Sequence, residues 1–354
     1  MSPRPGTKAT SDAVLVHFAI PGDLSTPTGG YVYARRVIRA ATEHGVELRP
    51  LQLPDGFPDP STAEIEETSR AFRKLDRAAP VLIDGLAGAV MPVDVLDQIA
   101  GRKVMLCHHP LALETGVPLD RRDALLTIEA AALSACDHVI TTSHATGEIL
   151  KRDFGVAGDR LTVAPPGTDP APRAKADGAC SIVSVGSLTP RKGHERLINA
   201  LAGIKDTPWS LRIIGPHRNA RTVERIKALI KAHQLGDRVR LDGALPAAAV
   251  IAAYQSADLF ALASEYEGFG MAFAEAMSHG LPVVGLHCDA VAEATAGGAR
   301  LVEADAFADT LQDLVADADA RHALSDRSWT TAQTFLRWPQ TASIIAATLK
   351  RETR

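Results

Sequence analysis

Two doubly wound α/β domains of similar size are predicted by three features of the 354-residue chain. Short apolar runs alternate with helix-like segments along nearly its whole length, which implies parallel sheets covered on both faces. The alternation pauses once, at "TDPAPRAKADGA" (168–179), where prolines, charges of both signs and a lack of apolar periodicity read as a linker. The length is comfortable for two cores and long for one.

Taken in order, "AVLVHFAI" (13–20), "PVLIDGL" (80–86), "KVMLCHH" (103–109), "HVITTS" (138–143) and "LTVAPPG" (161–167) read as buried strands. "GGYVYARRVIRAATEHG" and "DALLTIEAAALSACD" read as helices between them, and "AEIEETSRAFRKLDRA" (63–78) as an amphipathic one. After the linker the strands are "CSIVSVGSL" (180–188), "WSLRIIG" (209–215), "RVRLDGAL" (238–245), "ADLFALAS" (257–264) and "LPVVGL" (281–286). The closing segment, "SWTTAQTFLRWPQTASIIAATLKRETR", reads as helix broken at Pro339. The expected domains are 11–169 and 180–338, with a C-terminal helix from about 339 to 354 packing back on the first. Two such domains set the carboxyl ends of two sheets across one central cleft, where ligands bind.

Composition narrows the function. A net charge of −4, with neither half a polycation, leaves no footprint for nucleic acid. No apolar run approaches the roughly 20 residues that span a bilayer. The N-terminal "MSPRPGTKATSDA" has no apolar stretch after its charges and reads as a short disordered tail, not a signal peptide. The four cysteines (Cys107, Cys136, Cys180, Cys288) are widely separated, which argues against zinc and a disulfide framework and fits a reducing cytoplasm.

The chemistry concentrates in "SEYEGFGMAFAEAMSHGLPVV" (264–284), where Glu267 and Glu275 flank a glycine-rich break. A helix starting near Gly270 would offer unpaired amides and a positive dipole end to an anion. Gly268 and Gly270 would let the backbone come close to it. Glu275 would lie roughly 9 Å along that helix from Phe269. The carboxylates would then flank the anion, unlike the about 5–5.5 Å pair of a retaining glycosidase. A molecule with a central diphosphate and a hydroxyl-rich group at each end matches this layout; two solvated surface glutamates are the bland alternative.

In context, E-G-F-G followed by E-A-M-x-x-G-x-P-V-V resembles the signature of the family-4 retaining glycosyltransferases of GT-B fold. "PTGGYVYARRVI" (27–38) looks like that family's N-terminal glycine loop and helix, and "VAPPGTD" (163–169) its stretch before the linker. "VGSLTPRKGHERLINAL" (185–201) looks like its V-G-R-x-x-x-x-K-G motif. The resemblance implies a GT-B architecture of two Rossmann-like domains, and Glu267 on the donor sugar's hydroxyls with Glu275 on the ribose. It also implies that the amides around Phe269, Gly270 and Met271 meet the sugar and the diphosphate. Lys192 would neutralise the departing diphosphate, and Gly29 and Gly30 would admit the phosphates and acceptor. Gly243, ending "RVRLDG", is placed with the donor-binding residues.

In one place the chain departs from the pattern. Ser187 stands where the family has arginine, so one phosphate cation is missing. Arg191, beside Lys192, can compensate through its bidentate fork, or it is a solvent-facing loop arginine. Ala263 replaces a proline, altering only a turn. In "LCHHPLALE" (106–114) His109 fits the family's strand-end histidine best and His108 competes. Ser143 in "TTSHAT" is a candidate for the cleft wall. The "DAD" at 317–319 and the glycines at 297–298 read as a solvated helix and a turn.

The resemblance therefore implies a metal-independent retaining transferase with no cofactor. It would move a hexosyl group from a nucleotide diphosphate sugar, uridine before guanosine, to a hydroxyl of a glycan, lipid or small molecule. A nucleotide-sugar epimerase of the same fold, or a weakly catalytic binding protein, are the alternatives. Arg70, Arg73, Lys74 and Arg77 on the 63–78 helix would allow a weak peripheral membrane contact, although Glu64, Glu66, Glu67 and Asp76 beside them suit a solvated face better.

Overall fold

The computed structural model describes residues 13–174 and 180–351. The expected N-terminal tail, the end of the linker and the last residues of the C-terminal helix lie outside the described residues, apart from Ala13 and the linker's first residues.

The first half alternates β1 (Val14–Pro21), α1 (Gly29–Ala41), β2 (Val46–Leu53), α2 (Thr62–Arg73), β3 (Val81–Asp84), α3 (Gly85–Gly88) and α4 (Val93–Leu96). It continues through β4 (Lys103–Cys107), α5 (Leu119–Ala135), β5 (His138–Thr141), α6 (His144–Phe154) and β6 (Leu161–Val163). The second half runs β7 (Cys180–Val185), α7 (His194–Ala202), β8 (Trp209–Ile214), α8 (Ala220–Ala232), β9 (Val239–Gly243), α9 (Ala247–Gln255) and β10 (Leu259–Leu262). There follow α10 (Met271–Ser278), β11 (Val283–Leu286), α11 (Asp289–Thr295), β12 (Arg300–Val302), α12 (Phe307–Ala316), α13 (Ala318–Ala332) and α14 (Trp338–Leu349).

Each half is a six-stranded parallel sheet, ordered β2-β1-β3-β4-β5-β6 and β12-β11-β10-β7-β8-β9. The inner strands are apolar runs buried on both sides, as in "VVGL" and "LFAL", because helices cover both faces. The winding reverses between β1 and β3 in the first sheet and between β7 and β10 in the second. At such a reversal the loops beyond neighbouring strands diverge and leave a crevice. The loop after β1 leads into Gly29–Gly30, the first two residues of α1, and the loops after β7 and β10 carry Arg191–Lys192 and Glu267–Gly270.

Two strands go beyond the sequence expectation. β2 carries alternating apolar and charged residues with Pro50 inside it, which a strand at the sheet's margin tolerates. β12 is a three-residue edge strand beside β11. The C-terminal helix is also corrected. The break falls at 333–337, ahead of Pro339, which sits in the first turn of α14 where its missing N–H removes no helical bond.

α14 packs on the first half, with Trp338, Ile345, Ala346 and Leu349 joining Val16, Phe18 and Tyr33 in one buried cluster. The chain thus crosses between halves twice, and the crossings touch: the Thr168 amide donates to the Leu336 carbonyl at 2.8 Å. Gly167 is required there, since a Cβ would lie 2.3 Å from the Trp338 nitrogen. α2 stops at Arg73, short of the expected 78, and buries only Thr68 and Phe72. Among the described residues no helix is long and apolar enough to cross a membrane.

Candidate active site

The loop after β10 is shaped by its glycines. A Cβ on Gly268 would fall 2.1 Å from the His108 carbonyl oxygen, so only glycine lets this loop touch the opposite half. Gly270 has φ of +108° and caps α10, which starts at Met271, one residue from the expected position. The Thr142 hydroxyl donates to the carbonyls of His108 and Gly268 at 3.2 and 3.3 Å, and Thr146 adds a bond to Gly268 at 3.2 Å. These contacts put the glycine loop at a fixed place across the cleft.

Glu267 lies just before that loop and is buried, 7% exposed. Lys192 Nζ donates to its Oε1 at 2.6 Å and Arg191 to its Oε2 at 3.1 Å. Burial pushes its carboxyl up, but the two cations outweigh burial and hold it at about 2. It is therefore an ionised, acceptor-only group at neutral pH. Burial lowers the Lys192 ammonium, with Glu267 opposing. The Lys192 stem runs over Gly186, where a Cβ would stand 3.3 Å from it.

Arg191 is not a solvent-facing loop arginine; its side chain is only 14% exposed. Besides Glu267 it donates to the Tyr266 carbonyl at 2.7 Å and, through Nε, to Glu114 at 3.0 Å. Glu114 comes from the first half and also meets His109 Nε2 at 2.9 Å. His109, Glu114, Arg191, Glu267 and Lys192 thus form one chain of contacts across the cleft. Burial lowers the His109 imidazole, with Glu114 opposing, while burial opposed by His109 and Arg191 leaves Glu114 at about 2.

His108 occupies a different place. Its Nε2 is 3.5 Å from Asp84, its ring meets Tyr33 edge-on, and a Cβ on Gly30 would be 3.4 Å from it. Gly29 faces Met271, whose sulfur is 3.7 Å from where a Cβ would be. The N-terminal glycine pair therefore abuts His108, the competing candidate and not His109, and the start of α10.

Glu275 stands apart from the charged chain, on α10, where it accepts the Tyr254 hydroxyl at 3.2 Å. Burial raises its carboxyl to about 7. Tyr254 in turn stacks on His279 at 5.3 Å. Ser187 lies in the loop after β7, its amide 3.0 Å from where a Gly215 Cβ would be. Gly243 ends β9 at φ +67°, beside Gly215, with open space where a Cβ would go. Phe269 is partly exposed between its two glycines.

Ser143 is a correction: it is fully buried and accepts the Thr146 amide as the N-cap of α6, so it does not line the cleft. Asp317 likewise caps α13. Among the described residues no group of three or more His, Cys, Asp or Glu could hold a metal ion.

Sequence reasoning missed Glu114, Tyr254 and Glu293. Glu293, on α11, spans the halves: its carboxylate accepts the His144 amide at 2.8 Å and the Ala145 amide at 3.2 Å, at the start of α6. It also meets His144 Nδ1 at 2.9 Å. No local motif announces any of the three, because each acts through a partner distant in sequence.

Comparison with known proteins bears on this cleft. A model of the Glycosyl transferases group 1 family matches residues 168–329, and one of Glycosyltransferase Family 4 matches residues 96–172. The D-inositol 3-phosphate glycosyltransferase of Nocardia farcinica is 29% identical over 272 residues, covering 68% of this chain and 60% of that protein. Its counterpart from Corynebacterium glutamicum is 29% identical over 47% of this chain and 42% of its own length. The mannosylfructose-phosphate synthase of Agrobacterium fabrum is 26% identical over 42% of this chain and 37% of its own. These matches span roughly two fifths to three fifths of the relatives' lengths. Among solved structures, sucrose-phosphate synthase from Thermosynechococcus elongatus aligns with TM-score 0.80 at 20% identity, over 95% of this chain and 98% of that one. Anabaena HepE in complex with UDP-glucose aligns with TM-score 0.76 at 16% identity, over 95% and 99%.

Proposed function

From a chain that carries family-4 and group-1 glycosyltransferase domains on a GT-B fold, we propose that it transfers a hexosyl group, with retention, from a nucleotide diphosphate sugar to an acceptor hydroxyl. The observation that carries the reading is Glu267: a buried carboxylate kept ionised by Lys192 and Arg191, directly before a glycine-capped helix start. A carboxylate in that state accepts hydrogen bonds from sugar hydroxyls. The uncapped amides of α10 suit an adjacent diphosphate.

In this reading the donor lies along α10, hexose at Glu267 and ribose toward Glu275. UDP is the preferred carrier, in keeping with the UDP-glucose of the Anabaena structure. Negative charge grows on the departing diphosphate, and Lys192 with the amides of Gly270 and Met271 stabilises it. This reading assigns no carboxylate as nucleophile: Glu267 receives the hexose hydroxyls and Glu114 holds Arg191 and His109. The departing phosphate oxygen then takes the acceptor's proton on the same face where the new bond forms. The acceptor enters from the first half, past Gly29, Gly30 and His109. The phosphorylated acceptors or products in the relatives' printed names make a small hydroxylated molecule the first class to try.

Incubation with UDP-hexoses and GDP-hexoses, with and without a panel of acceptors, tests the reading. Transfer with retained anomeric configuration, read by NMR of the product, is expected. Conversion of the donor sugar without an acceptor would overturn it in favour of epimerisation.

A further inference from the structure

We infer that Glu114 is a positioning residue that reaches across the cleft to set Arg191, holds His109 beside it, and lowers the positive charge that an incoming nucleotide meets; the inference rests on reading this cleft as a nucleotide-sugar site. Glu114 belongs to the first half, in the turn that follows β4. That turn is braced from behind: the buried carboxylate of Glu129 accepts the amides of Leu111 and Ala112, each at 3.2 Å. Glu114 therefore sits on a fixed mount, and each of its oxygens has one job. Oε2 meets His109 Nε2 at 2.9 Å, and Oε1 accepts Arg191 Nε at 3.0 Å.

The charges decide what this does. Lys192 and Arg191 are balanced by Glu267 and Glu114, so the group presents no net positive charge to an incoming diphosphate. Three of these four side chains belong to the second half; Glu114 alone comes from the other side. It orients the imidazole of His109 within its own half and fixes the guanidinium fork of Arg191 only when the halves are together. Glu114 thus weakens the attraction of the site for a diphosphate in the ground state, while its grip on Nε holds the guanidinium in the direction where charge develops in the transition state. Loss of the Glu114 charge should therefore separate affinity from turnover in opposite directions. Simple damage to the site would lower both.

The test is Glu114→Gln, with UDP affinity by calorimetry and turnover at saturating donor. The side chain is one-third exposed, so the fold tolerates the change. We expect UDP to bind about three- to tenfold tighter, as one unit of opposing charge is removed. Turnover is expected to fall about tenfold, and the affinity gain to shrink at high salt. Glu114→Asp, which keeps the charge but shortens the reach, should return UDP affinity to the wild-type value while turnover stays low. Weaker UDP binding in Glu114→Gln, or unchanged affinity and turnover, would overturn the inference while the nucleotide-sugar reading stands. Wild-type protein that binds neither UDP nor GDP would overturn that reading and this inference with it.

Discussion

Arg191→Ala probes the cleft most sharply, because it removes three donated hydrogen bonds at once, to Glu114, to Glu267 and to the Tyr266 carbonyl. Glu267 would keep Lys192 as its one cationic partner, so burial would raise its carboxyl from about 2 toward the ordinary range. Hydrogen bonds to charged groups contribute about 1.5–3 kcal/mol each when broken singly. The three share one side chain and water refills the space, so they do not add. We expect a stability loss of about 2–3 kcal/mol and a fall in Tm of about 4–10 °C. Turnover at saturating donor should fall by about 10²–10³, the effect of removing one preorganised charge donor. Ser187→Arg alone should gain little while Arg191 is present, and should recover part of the loss when Arg191 is alanine. Differential scanning fluorimetry and single-donor kinetics read both effects. Wild-type turnover in Arg191→Ala would refute the assignment of Arg191 to the reacting site and favour a structural role for the network.

Three further outcomes follow from the same contacts. Glu293→Ala removes the carboxylate that caps α6 from the opposite half; small-angle scattering should show a more open particle and donor KM should rise about five- to tenfold, whereas unchanged values would mean the latch does not govern closure. Burial raises Glu129 to about 7, so its own contribution to stability falls as pH rises from about 4.5 to 7, by up to about 3 kcal/mol, against the opposite slope of the buried His138 and His194, lowered to about 4 and about 3. The Tm of Glu129→Gln minus that of the wild type should therefore grow as pH rises through that window, and a constant difference would contradict this. If Lys192 and the α10 terminus supply the charge stabilisation, as proposed, transfer should persist in excess chelator; complete loss restored by Mg²⁺ or Mn²⁺ would count against that phosphate site.

The strands of the two halves were equally legible, one edge strand escaping in each, whereas the site was more legible in the second half, where the glycine-rich loop before α10 carries its chemistry in adjacent residues. The edge strands β2 and β12 escaped: one mixes charges with Pro50, the other has three residues, and neither needs the uniform burial that marks a central strand. Ser143 shows a signal misassigned. "SHAT" places a hydroxyl three residues before a threonine amide at a helix start, a capping pattern, and the structure uses it so. Lys192 and Glu267 were named from the chain and meet at 2.6 Å. Their coupling to Glu114 and His109 was not legible, since a contact across two separately folded sheets leaves no periodicity or spacing in either segment. Arg191 illustrates the limit: sequence offered a phosphate cation or a solvent-facing loop residue, and the side chain turned out to be mostly buried between two carboxylates.

The most direct test of the donor's placement is UDP binding by calorimetry to Glu267→Ala and Glu275→Ala, with transfer measured on the same samples. In the proposed placement Glu275 serves the ribose, present with or without the sugar, so Glu275→Ala should weaken UDP binding by about 1.5–3 kcal/mol, or roughly ten- to hundredfold. Glu267→Ala should not weaken UDP binding, and should tighten it to the extent that one opposing charge is removed from Lys192 and Arg191; transfer should fall about ten- to hundredfold, because in the proposed placement its partner is the hexose. Loss of UDP binding in Glu267→Ala with full binding in Glu275→Ala would contradict the orientation proposed for the donor along α10.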